Sequence, residues 1–111
     1  MAIDKATDKA GRTRADIAKR LLSAWDPRLK NALSQCLHGY DDALAALRLA
    51  WSDLSKGHYM ELYQDANYAG RGFTSCEQAF IDNSLTSPLT TDNRHLSNYC
   101  NILQIIANAS Y

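Results

Sequence analysis

No apolar run in this chain is long enough to cross a bilayer. The longest, Ile102-Leu103-Gln104-Ile105-Ile106-Ala107, is short and broken by Gln104. Basic runs are also missing. Twelve Lys and Arg balance twelve Asp and Glu, so the formal net charge is zero. Bulk electrostatic binding to nucleic acid or to an anionic membrane is therefore not expected. Prolines number two, Pro27 and Pro88, and both sit at natural breaks. No period-two alternation marks a strand. The first residues, Met1-Ala2-Ile3-Asp4-Lys5, carry charge early and lack the apolar segment of a secretory signal. The chain is thus expected to be cytosolic as written, or a fragment of a longer precursor.

What the chain does have is helical rhythm. Hydrophobic residues make up 46% of its 111 residues, enough for one domain with a modest core. The first segment, about Ala2 to Ala24, carries Ile3, Ala6, Ala10, Ile17 and Leu21 on one stripe, with Thr13 filling a step. Gly11 weakens it by roughly 1 kcal/mol relative to Ala. Asp26-Pro27 reads as a stop followed by an N-cap and first helical residue. From Pro27 to Leu54, the residues Leu29, Leu33, Cys36, Tyr40, Leu44, Leu47, Trp51 and Leu54 step by four or three, the seam of a bundle helix. Gly57 suits the left-handed cap that would end it. The third segment, Tyr59 to about Phe80, continues with Leu62, Ala66, Ala69, Phe73 and Cys76; Gly70 and Gly72 predict a kink or frayed turn in its middle. Asp82 to Pro88 reads as a polar linker. A fourth segment starts near Thr90 or Thr91, either able to cap it, with a stripe of Leu96, Tyr99, Leu103 and Ile106 and with Ile102 beside it. The fold class is all-α, an antiparallel up-down-up-down four-helix bundle.

Three cysteines leave two readings open by composition alone: free buried thiols, or one disulfide and a spare. Geometry favours the second. With the second turn centred on Lys56, Cys36 and Cys76 are equidistant from it, each roughly 30 Å away along its helix. Both fall on inward stripes of neighbouring antiparallel helices, so a Cys36–Cys76 bond is expected. It would close a loop of about 40 residues, contributing about 4 kcal/mol by chain entropy. A disulfide in turn suggests an oxidising compartment. Cys100 reads as a buried spare thiol.

Catalytic constellations are lacking. His38, His58 and His95 are far apart, and no His-x-x-x-His, Cys-x-x-Cys or Glu-x-x-His spacing suggests a metal. Gly70-Arg71-Gly72 lacks the pattern of a phosphate loop, and no Gly-x-Ser-x-Gly turn is present. Cys100 and His95 are five residues apart, a poor spacing for nucleophile and base on a helix. No enzyme activity, cofactor or metal is expected. Candidate partner contacts are Asp41, Asp42, His58 and Tyr59, although a solvated acidic face and a plain exposed turn are the simpler readings. Asn108-Ala109-Ser110 matches a glycosylation sequon at the extreme end of the chain, where use is inefficient.

Several segments in order resemble the plant pectin methylesterase and invertase inhibitor family. Asp26-Pro27-Arg28-Leu29-Lys30 and Ala32 through Leu44 look like its second bundle helix, and Lys56-Gly57-His58-Tyr59 like the turn that follows. Thr74-Ser75-Cys76-Glu77-Gln78-Ala79-Phe80 resembles its second cysteine box. Ser87-Pro88-Leu89-Thr90 and Asn93 resemble the entry to its last helix. The resemblance covers nearly all of residues 1–111 and implies a four-helix bundle bridged between helices two and three. It further implies a monomeric, non-catalytic protein that docks on pectin methylesterase or acid invertase, in the cell wall or the vacuole. The family's N-terminal helical hairpin with its own cysteine pair has no counterpart here, and Leu62 to Gly72 departs from the usual small-residue-rich helix. Where invertase inhibitors of this family can carry Pro-Lys-Phe, this chain reads Tyr59-Met60-Glu61, which tilts the expectation toward pectin methylesterase. The competing expectations are a bundle without inhibitory role, or the pro-region of a pectin methylesterase.

Overall fold

A computed structural model describes residues 2–110, with side chains from Ile3 onward. Four helices follow one another: α1 (Ala2–Ser23), α2 (Pro27–Ser55), α3 (Tyr59–Asp82) and α4 (Thr90–Ala109). Among the described residues there is no strand. The helices form an antiparallel up-down-up-down bundle with extents of 47 × 21 × 18 Å.

Local chemistry accounts for the helix ends. Asp26 caps α2, its Oδ1 accepting the backbone N–H of Arg28 at 2.9 Å, with Pro27 in the first turn. Gly57 takes the left-handed conformation at φ 73°, and the N–H of His58 then reaches back to the carbonyl of Asp53 at 2.8 Å. This is the six-residue closure of a Schellman motif. Ser84 does the same for α3 at φ 57°, and the N–H of Leu85 bonds the Phe80 carbonyl at 2.9 Å. At α4 the expected caps are not used. Leu89 occupies the cap position without a side-chain bond, and the Thr90 hydroxyl donates to Glu77 instead.

The core follows the predicted stripes closely on α1, α2 and α3. Ile3, Ala6, Ala10 and Ile17 are buried, as are Leu33, Cys36, Tyr40 and Leu47, and Leu62, Ala66, Ala69, Phe73, Cys76 and Phe80. Leu21, Leu29, Leu54 and Tyr59 are partly buried against them. Three expectations need correction. Trp51 lies at the edge of the α2 seam and is 45% exposed, beside Ile3 and Leu47 in a groove between α1 and α2. On α4 the buried face is Asn93, Leu96, Cys100, Leu103 and Ala107, while Ile102 and Ile106 are exposed and Tyr99 is only partly buried. Cys100 faces α3 at Gly70, where an added Cβ would lie 3.7 Å from that of Cys100. Finally, α3 is uninterrupted through Gly70 and Gly72. Gly72 is not a relaxed turn but a contact point, packed backbone to backbone against Gly39 of α2.

Candidate functional site

The α2–α3 hairpin is the rigid centre of the molecule. The Cys36–Cys76 disulfide joins it, with the Cα atoms 4.2 Å apart, near the short limit for such bonds. One turn along, Gly39 and Gly72 face each other so closely that neither position has room for a side chain. Next to them the Tyr40 and Phe73 rings meet edge to face, centroids 5.0 Å apart. The small residues make the helix approach close enough for the bond, and the aromatic pair fills the space alongside.

A polar network, buried at Tyr40 and Asn93 and open to solvent at Thr90, ties this hairpin to α4. The Tyr40 hydroxyl donates to Asn93 Oδ1 at 2.5 Å, and Asn93 Nδ2 donates to Glu77 Oε2 at 2.7 Å. Glu77 also accepts from Ser87 at 2.6 Å and from Thr90 at 2.6 Å, while Ser87 Oγ accepts the N–H of Leu89 at 3.0 Å. Burial raises the Glu77 pKa, but its three hydrogen bonds outweigh that and hold the carboxyl below its ordinary value. Tyr40 is pushed up from the usual phenol value by burial and by the nearby carboxylates of Asp92 and Glu77. Glu77 therefore clasps the α3–α4 connection onto the hairpin. It joins in space the second cysteine box and the Ser87–Asn93 segment. Pairing with this network explains why Asn93 is buried.

On the outer side of the hairpin a groove of about 400 Å³ runs between α2 and α3. Ala45 and Ala46 line it; Leu49 and Tyr68, 59% and 53% exposed, stand along it; Asp42, Gln64 and Asp65 supply its polar groups. Two large apolar side chains are thus held out to water around a shallow trough. Asp42, Ala45, Ala46 and Leu49 form a second stripe of spacing three and four, displaced from the core stripe; that was the signal available in the sequence.

The predicted contact residues do not converge. Asp42 lines the groove, whereas Asp41 points toward α1 and binds Arg14 through Oδ1 at 2.5 Å. His58 is exposed at the hairpin turn, its Nδ1 3.5 Å from Asp53, and Tyr59 packs partly against the core. Asn108 is exposed in the last turn of α4. Cys100 is a free thiol, 2% exposed, and burial pushes its pKa up to about 12, which keeps it protonated. Among the described residues no group of three His, Cys, Asp or Glu side chains could hold a metal, and no helix is long and apolar enough to cross a membrane.

Residues 1–106 match the family model for the plant invertase/pectin methylesterase inhibitors. The chain belongs to this inhibitor family. Its bundle superimposes on the crystal structure of a pectin methylesterase inhibitor from Arabidopsis thaliana with a TM-score of 0.89 at 24% identity, covering 96% of this chain and 72% of that one. A mutant form A of a pectin methylesterase inhibitor from Arabidopsis gives 0.91 at 22% identity with the same coverage. At such identities these likenesses establish the fold. No curated protein sequence gives a significant match. Family membership and fold together account for the order of the sequence segments, and the observed Cys36–Cys76 bond agrees with the bridge expected between helices two and three.

Proposed function

We propose that this chain, residues 1–111 as one domain, inhibits a plant carbohydrate-active enzyme by docking its α2–α3 face over the enzyme's substrate cleft, with pectin methylesterase the favoured target. The observation that carries this reading is the groove with Leu49 and Tyr68 exposed along a disulfide-locked hairpin. A surface held in shape before binding loses little conformational entropy on association. Asp42 beside the apolar pair would set the register against basic or hydrogen-bonding groups of the target. Family membership supports an inhibitory rather than catalytic role. The preference for pectin methylesterase over acid invertase rests on Tyr59-Met60-Glu61 after the turn and on the named structural relatives. A disulfide of this kind fits an oxidising, extracellular or vacuolar setting and a monomer that binds one target molecule.

Gel filtration of the oxidised chain mixed with pectin methylesterase, and separately with acid invertase, tests the proposal. Co-elution as a one-to-one complex with pectin methylesterase is expected. Separate elution from both enzymes across the acidic range overturns it.

A further inference from the structure

At the turn end of the hairpin two carboxyl groups meet. Asp53 projects from the last turns of α2 and Asp65 from the second turn of α3, within hydrogen-bonding reach of each other. The Oδ2 of Asp65 is shut off from solvent and has no donor among the protein groups around it. Asp53 has one, the His58 Nδ1 at 3.5 Å. Two ionised carboxylates in this arrangement offer each other only acceptors, and a buried acceptor without a donor is costly. A single proton resolves both problems, because a protonated Asp65 donates to Asp53. The remaining charges nearby are Lys56 and His58 in the turn, facing Asp53, and Glu61 one turn earlier on α3. Glu61 adds further negative charge beside Asp65.

We infer that a proton shared between Asp53 and Asp65 latches α2 to α3 at the hairpin turn in acidic surroundings, and that its loss toward neutral and alkaline pH loosens that end of the bundle. Burial first, then the hydrogen bond and charge of Asp53 and the charge of Glu61, push the Asp65 carboxyl up to about 7. Asp53 moves the other way, held down by its hydrogen bond with Asp65. The native state therefore holds the Asp65 proton more tightly than the unfolded chain does. Its contribution to stability is complete below the ordinary Asp value and is lost as the pH rises through about 7. Asp65 also lines the α2–α3 groove, so the same event adds a negative charge to that surface. The latch is a property of the fold and does not depend on which enzyme the chain binds.

The test is melting temperature against pH for the oxidised wild type, Asp65→Asn and His58→Gln, together with the Asp65 side-chain carbon shift followed by NMR in the wild type. In Asp65→Asn a permanent amide donor replaces the shared proton. Wild type and His58→Gln should both lose melting temperature between about pH 5 and about pH 8, above the range in which Glu77 acts, while Asp65→Asn stays flat over that range. The Asp65 carbon should titrate near 7. A midpoint near the ordinary Asp value of about 4 overturns the inference. So does an Asp65→Asn protein with the full wild-type slope, or a slope abolished by His58→Gln. The carbon titration decides the matter if Asp65→Asn does not fold.

Discussion

A Cβ built on Gly39 would sit 2.6 Å from the carbonyl oxygen of Gly72, and one on Gly72 would sit 2.3 Å from that of Gly39. The obstructing atoms are backbone, which cannot swing aside as a long side chain would. Gly39→Ala or Gly72→Ala must therefore push the two helices apart next to the Cys36–Cys76 bond. Each should cost about 1–3 kcal/mol in urea unfolding, the range for overpacking a tight interior. Gly11 gives the control. Nothing lies within 4 Å of a Cβ added there, so Gly11→Ala should raise stability by about 0.5–1 kcal/mol.

The disulfide closes a segment with a sequence separation of 40 between two helices that already pack tightly. Its main effect is expected on the unfolded chain. The double variant Cys36→Ser/Cys76→Ser should keep its helical far-UV circular dichroism but lose stability, with about 4 kcal/mol as the upper bound from chain entropy. For a domain whose total stability is only about 5–15 kcal/mol, that loss would show as a large drop in the unfolding midpoint.

Glu77 should give the molecule an acid limb. Its carboxyl is held below the ordinary glutamate value by Ser87, Thr90 and Asn93, against the opposing effect of burial. A depressed native value means the stabilisation is present above the unfolded-state pKa and disappears as pH falls through the native one. Unfolding free energy should therefore decline as the pH drops below about 4.5, the unshifted value, and Glu77→Gln should remove that part of the decline. At neutral pH Glu77→Gln should itself cost about 1–3 kcal/mol, since three donors converge on the two carboxylate oxygens and an amide offers only one acceptor.

Much of this architecture was legible in the sequence because it rests on simple periodicities. The stripes of α1 and α3 and most of that of α2, the Asp26-Pro27 start, the Gly57 stop and the level cysteines each follow from helix geometry and local backbone preference. What escaped depends on tertiary contact. Hydropathy alone selects Ile102 and Ile106 for the α4 core, but the helix turns Leu96, Cys100, Leu103 and Ala107 inward instead, with Cys100 set against Gly70. Glu77 and Asn93 carry no hydropathy signal of their own; Ser87, Thr90 and Tyr40 are brought to them only in space. Asp41 and Asp42 are adjacent in the chain, yet they project toward different neighbours, one to Arg14 and one to the groove. The α2–α3 groove was missed for a related reason: Leu49 and Tyr68 are ordinary helix residues until α2 and α3 are set side by side.

The most direct measurement is the residual activity of pectin methylesterase titrated with oxidised chain at acidic pH, run in parallel with Leu49→Ala and Tyr68→Ala variants. Wild-type protein should abolish activity with a break at one equivalent. Each variant should shift the titration toward weaker inhibition by about tenfold or more, the loss of roughly 1.4 kcal/mol or more expected from truncating a central apolar contact. Unchanged activity of both pectin methylesterase and acid invertase at a large excess of the chain, or full inhibition by the double variant Leu49→Ala/Tyr68→Ala, would contradict it.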